Sequence, residues 1–101
     1  MRIMVFFDLP TETYGDRRDY TLFRKFLLGD GFIMMQKSVY CKLALNKSIV
    51  NSELKRLKQH KPKKGVVEVL IITEKQFSQI EYLVGEKETN TLDGDNRLVI
   101  L

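Results

Sequence analysis

The sequence predicts an α+β domain, an antiparallel sheet of βαβ type with its helices on one face. Three observations carry that expectation. The run Met4-Val5-Phe6-Phe7 is apolar throughout and ends in Asp8-Leu9-Pro10, which reads as a buried strand followed by an outward turn. Two stretches, from about 16 to 28 and from 47 to 60, repeat apolar residues at helical spacing. A second nearly continuous apolar run, Val66–Thr73, is broken only by Glu68. With a further strand expected between the two helices, the order is strand, helix, strand, helix, strand, which suits a ferredoxin-like sheet. The 101 residues, 44% of them hydrophobic, allow one domain (1–101) with one modest core.

The elements follow in chain order. Residues 2–8 are the first strand, and Thr11–Gly15 a polar loop. A helix is expected to start at Asp16, a good N-cap residue, with Tyr20, Phe23, Phe26 and Leu27 on its buried face and Gly29 and Gly31 at its end. The next strand is expected from Phe32 to Leu45, bending or reaching an exposed edge at Lys37. The second helix, Lys47–His60, carries a stripe of Val50, Leu54 and Leu57 with Ile49 beside it. Pro62-Lys63-Lys64-Gly65 is a turn, and Val66–Thr73 a strand whose unbroken apolarity suggests a central place. A helical turn at Glu74–Ser78, a strand near Ile80–Val84 and a charged loop, Gly85–Asn96, precede the final Leu98-Val99-Ile100-Leu101. That last segment (97–101) follows a polar loop long enough to reach another subunit. Burying two of its side chains is worth about 3–6 kcal/mol, so it is expected to add to a sheet edge, favourably that of a partner in a homodimer.

Composition excludes several classes. No apolar run approaches ~18 residues, so no membrane span is expected. There is no signal-peptide pattern, and the single Cys41 cannot form an internal disulfide, so a cytoplasmic setting fits. With one cysteine and one histidine, His60, an intrachain zinc site of Cys/His type is excluded. The net charge of +4 is unevenly placed: residues 31–65 carry nine Lys/Arg against one acid, whereas 66–101 carry three against seven. A block of net +8 points to a polyanion, most simply nucleic acid, though a solvated helix face is the ordinary alternative.

Asp8 is the most informative single residue. A carboxylate at the end of a buried strand calls for a partner, and a divalent cation is one candidate; a turn-starting Asp is the other reading. Arg17 and Arg18 lie in the first turn of the first helix, where the helix dipole disfavours cations, so they serve either phosphate contact or pairing with Asp16 and Asp19.

Taken together, Phe7-Asp8-Leu9-Pro10, Asp16-Arg17-Arg18-Asp19-Tyr20, Phe23-Arg24-Lys25-Phe26-Leu27-Leu28, Gly31-Phe32, Gln36-Lys37-Ser38-Val39-Tyr40, Lys63-Lys64-Gly65, Thr73-Glu74-Lys75-Gln76-Phe77 and Arg97-Leu98-Val99 resemble, in order, the CRISPR-associated Cas-two family, nearest to its type two-A members. The resemblance implies a ferredoxin-like protomer and a two-fold dimer whose last strand joins the partner's sheet. It implies a DNA scaffold at the centre of the spacer-acquisition complex, holding double-stranded DNA beside a larger integrase subunit that does the strand transfer. It also implies metal-dependent cleavage of RNA or DNA, with Asp8 as the matching metal-binding and catalytic aspartate and Mg²⁺ or Mn²⁺ as the ion.

Under the scaffold reading Arg17, Arg18, Lys37, Lys42, Lys55 and Arg56 would follow a duplex backbone without reading sequence. Under the nuclease reading a dimer would bring two copies of Asp8 near its axis. At ~4 Å their repulsion is about 4 kcal/mol in a partly polar setting, relieved by a proton or a divalent ion. Two alternatives remain: a free-standing endoribonuclease that needs no partner, and a ferredoxin-like RNA-binding module. The second would stack bases on aromatics of its central strands, and Val66–Ile72 has none.

Overall fold

A computed structural model describes residues 1–86. The expected C-terminal strand at 97–101 lies outside the described residues. The elements are β1 (Arg2–Asp8), α1 (Tyr14–Gly29), β2 (Ile33–Gln36), β3 (Val39–Leu43), α2 (Lys47–His60), β4 (Val66–Ile72) and α3 (Glu74–Ser78). The four strands form one sheet in the order β2-β3-β1-β4, with every neighbouring pair antiparallel. β1 and β2 are therefore parallel with β3 between them, the split crossover of a ferredoxin-like fold.

Alternation along β1 separates two faces. Ile3, Val5 and Phe7 face the helices and join Phe23 and Leu27 of α1 and Val50 and Leu57 of α2 in one core. Burying each such side chain is worth about 1.5–3 kcal/mol. The Phe7 ring meets Phe23 edge-on at 5.3 Å and stacks on Tyr40 at 5.6 Å. Arg2, Met4, Phe6 and Asp8 lie on the opposite face, in register with Ile72, Leu70, Glu68 and Val66 of β4. Among the described residues α1 and α2 pack on the other face, and only the short α3 reaches this one, at Arg2. Residues 80–86 run along it and enclose, with Met4, Phe6, Val39, Leu70 and Ile72, a groove of about 480 Å³.

Local chemistry explains the helix ends. Thr13, not Asp16, is the N-cap of α1: its hydroxyl accepts from Asp16 N at 3.0 Å while its own N–H donates to the Asp16 carboxylate at 3.2 Å. This reciprocal capping box places Asp16 three residues inside the cap. Asn46 caps α2 by accepting from Ile49 N at 2.9 Å, and Thr73 with Gln76 forms a second capping box on α3. Arg2 fixes α3 to the sheet: its Nε donates to both Glu74 oxygens at 3.1 and 2.9 Å, and its guanidinium lies 4.3 Å from the Phe77 ring centre.

Three expectations are corrected. The single strand expected over 32–45 is a hairpin, β2 and β3, turning at Lys37-Ser38 with a register shift between Met34 and Gln36. Among the described residues β4 is an edge strand rather than a central one, with Val66 and Leu70 55% and 52% exposed. Ile80–Val84 pairs with no strand of the sheet.

Candidate functional site

Asp8 ends β1 with its side chain exposed on the open face. Two turns pin the backbone around it. On one side Phe7 N donates to Ser38 O at 3.1 Å, and the Tyr20 hydroxyl reaches Lys37 O at 3.4 Å, so the β2–β3 turn is held against the strand end. On the other side Asp8 is in register with Val66, and Gly65 lies directly against the strand. A Cβ on Gly65 would stand 2.5 Å from Asp8 O and 2.8 Å from Leu9 Cδ2, and its φ of +88° is one that side-chain-bearing residues avoid. The Lys63–Gly65 turn is further tied to α1 by Lys64 Nζ, 3.6 Å from Asp16 Oδ1. Hydrogen bonding by the Thr13 N–H, chiefly, holds the Asp16 carboxyl below its ordinary range, with Lys64 adding to it.

Asp8 is thus a rigidly based, solvent-facing carboxylate with lysine-bearing turns on both flanks. Among the described residues it belongs to no cluster of three or more metal-ligating side chains. One exposed carboxylate suits a hard cation that keeps most of its waters, as Mg²⁺ does. A closed, all-protein cage for such an ion is not formed within one protomer.

The cations singled out in the sequence fall into two groups, one held only by local contacts or free and one locked in a buried network. Arg17 and Arg18 sit at the start of α1; Arg17 donates to the carbonyls of Thr11 and Glu12 at 3.2 and 3.1 Å, and Arg18 stands 3.8 Å from Asp19. Lys37 is exposed on the turn beside Asp8, and Lys55 is exposed on α2. Lys42 and Arg56 serve a different purpose. Both donate to Oε1 of the fully buried Glu53, at 2.7 and 2.6 Å, and Arg56 also reaches Asp30 Oδ2 at 3.1 Å. This network joins β3, α2 and the end of α1. Glu53, foremost, raises the Arg56 pKa; burial works against ionisation of Asp30, yet Glu53, Arg56 and Lys42 outweigh it and hold that carboxyl low. Glu53 was invisible as a core residue in sequence, because it reads as one more polar position on a charged helix.

Known proteins resemble this chain closely. Residues 1–80 match the family described as CRISPR associated protein Cas2. A CRISPR-associated endoribonuclease Cas2 of Treponema denticola is 50% identical over 101 residues, covering all of both chains. One from Streptococcus mutans serotype c is 50% identical over 101 residues, covering all of this chain and 93% of the relative. In the crystal structure of Streptococcus pyogenes Cas2 the same fold recurs, with a TM-score of 0.64, 21% identity, and coverage of 83% of this chain and 100% of that one.

Proposed function

The chain belongs to the CRISPR-associated Cas2 family, and from that membership and the geometry of Asp8 we propose that it works in CRISPR adaptation as a two-fold dimer on nucleic acid. The dimer holds the backbone of double-stranded DNA for an integrase subunit and retains metal-dependent cleavage of RNA or DNA at Asp8. The observation that carries this reading is the exposed Asp8 at the end of β1, on the sheet face opposite the core that α1 and α2 cover, where several apolar side chains are exposed. Leu43, Val66 and Leu70 are at least half exposed there. Open apolar surface of that kind favours a partner surface, and a second copy laid across it would bring two Asp8 carboxylates towards a common axis.

The backbone grip falls to Arg17, Arg18, Lys37 and Lys55, whose charged ends are exposed or engaged only by main-chain carbonyls and a half-buried acid. Lys42 and Arg56 drop out of the grip, since freeing them would strand the buried Glu53 charge. Mg²⁺ or Mn²⁺, when bound at Asp8, would activate water and offset charge on a phosphodiester. The protein's own part is to orient Asp8 through the Ser38 and Gly65 contacts and to hold the phosphate chain with Lys37 nearby.

The experiment combines sedimentation, duplex titration and cleavage. The protein should sediment as a dimer. Duplex affinity should fall roughly 10³-fold between 50 and 200 mM salt if six or more phosphates are contacted across the dimer. Asp8→Asn should abolish Mg²⁺-dependent cleavage while leaving duplex affinity within about twofold, a change of ~0.4 kcal/mol. A monomer with a flat salt response refutes the scaffold; undiminished cleavage by Asp8→Asn refutes the nuclease.

A further inference from the structure

The end of α2 presents an aromatic surface within the most basic stretch of the chain. Residues 55–64 hold six Lys/Arg and no acid. Arg56 is paired with Glu53 and Asp30, and Lys64 with Asp16. Lys55, Lys58, Lys61 and Lys63 are exposed and make no ion pair among the described residues. In their midst the His60 imidazole lies flat on Phe26 of α1, with ring centres 4.2 Å apart and planes 10° from parallel. His60 remains exposed although Phe26 covers one face of its ring, so the opposite face meets solvent. The ring is fixed about its own axis as well: Nδ1 is 3.0 Å from Arg56 O. A carbonyl only accepts, so Nδ1 carries the hydrogen and Nε2 points away from the helix backbone as an acceptor in the neutral ring.

We propose that the exposed face of His60, backed by Phe26 and set in a lysine-rich stretch that includes Lys58, Lys61 and Lys63, is a stacking site for an unpaired nucleobase of single-stranded DNA or RNA. It rests on the nucleic-acid reading above and adds to it a separate contact, away from Asp8, for unpaired bases. Each feature has a task in such a site. Every base offers a π-face, so a flat ring on a rigid backing binds without regard to sequence. The exposed lysines of the same stretch supply positive charge for the phosphates of the strand. A base inside a duplex has both faces covered by its neighbours and cannot use the site, whereas a frayed end or an overhang can. Phe26 matters because it removes the ring's freedom to turn, so less order must be gained on binding.

The test uses the whole protein and two probes, a short fluorescent oligothymidylate and a blunt duplex of equal length, at fixed salt. His60→Ala and His60→Lys should each bind the single strand roughly 5- to 150-fold more weakly. Both should bind the duplex as the wild type does, and His60→Phe should bind the single strand normally. The lysine variant separates ring from charge, and thermal unfolding of each variant checks that α2 still packs. The proposal is overturned if His60→Ala holds the single strand as tightly as wild type, if it loses duplex and single strand equally, or if His60→Lys restores binding. Should the wild type bind neither probe, this proposal and the nucleic-acid reading fall together; if only the duplex binds, the stacking site alone falls.

Discussion

Replacing Gly65 with alanine gives a prediction whose size follows from the coordinates. Two separate penalties apply. At φ +88° a side-chain-bearing residue costs about 1–2 kcal/mol. The new Cβ would also stand 2.5 Å from Asp8 O, so the β1 and β4 backbones must part by about 0.9 Å to reach ordinary contact at 3.4 Å. Forcing an extra carbon into a packed place costs about 1–3 kcal/mol more. Gly85 supplies the internal control: its φ is +89°, but an added Cβ meets nothing within 4 Å. Gly85→Ala should therefore lose only about 1–2 kcal/mol, and Gly65→Ala about 2–5 kcal/mol. Urea denaturation at one protein concentration measures both. The corresponding fall in melting temperature is about 4–8 °C per kcal/mol for a domain of this size. Because the displaced atoms belong to Asp8 and Leu9, Gly65→Ala should also lower Mg²⁺-dependent cleavage, and Gly85→Ala should not. Equal losses of stability in the two variants would refute the close approach of the turn to Asp8.

Three further outcomes are expected. Glu53→Ala leaves Lys42 and Arg56 with Asp30 as their remaining acid and should cost about 1–3 kcal/mol in urea denaturation, whereas Glu53→Gln, which keeps an acceptor oxygen, should cost less; a loss under about 0.5 kcal/mol for Glu53→Ala would remove the network as a stabiliser. The Asp16 carboxyl is held below its unfolded value, so its contribution is present above about pH 4 and is lost as pH falls through the lowered folded value. Asp16→Asn should then be less stable than wild type at pH 7, with the gap closing in acid, and a gap that stays constant with pH would refute the sign. Burial, foremost, raises the Cys41 pKa despite the nearby Arg2, so alkylation at pH 7 should be far slower in the folded protein than in urea; equal rates would mean the thiol is open.

Much of the architecture was legible in the sequence because its signals are local. The bounds of α2, Lys47–His60, follow from its apolar stripe, and the short polar stretch Glu74–Ser78 is the helical turn α3; their caps, Asn46 and Thr73 with Gln76, are equally local. What escaped is tertiary. Lys37-Ser38 lacks the Gly, Asn or Pro that announces a two-residue turn, so β2 and β3 read as one strand. β4 reads as central because it is apolar on both faces, but its outer backbone edge and much of its surface are open. Asp16 reads as a cap, since a capping box and a simple cap differ only in which residue turns first. At the site, Asp8 and the Lys63-Lys64-Gly65 turn were legible as separate motifs, whereas their contact depends on strand order. Lys42 and Arg56 were grouped with the surface cations since charge alone does not reveal that Glu53 opposite them is buried.

The clasp between Arg2 and Glu74 has a consequence for biosynthesis. Its two halves are 72 residues apart, and β1 lies between β3 and β4, both made later. At ~5–20 residues per second, a ribosome needs roughly 4–14 s to bring Glu74 into being after Arg2. Until β4 is made the apolar opening strand has at most one of its two neighbours, so yield in a host cell should improve on slowing growth by cooling or on raising chaperone supply.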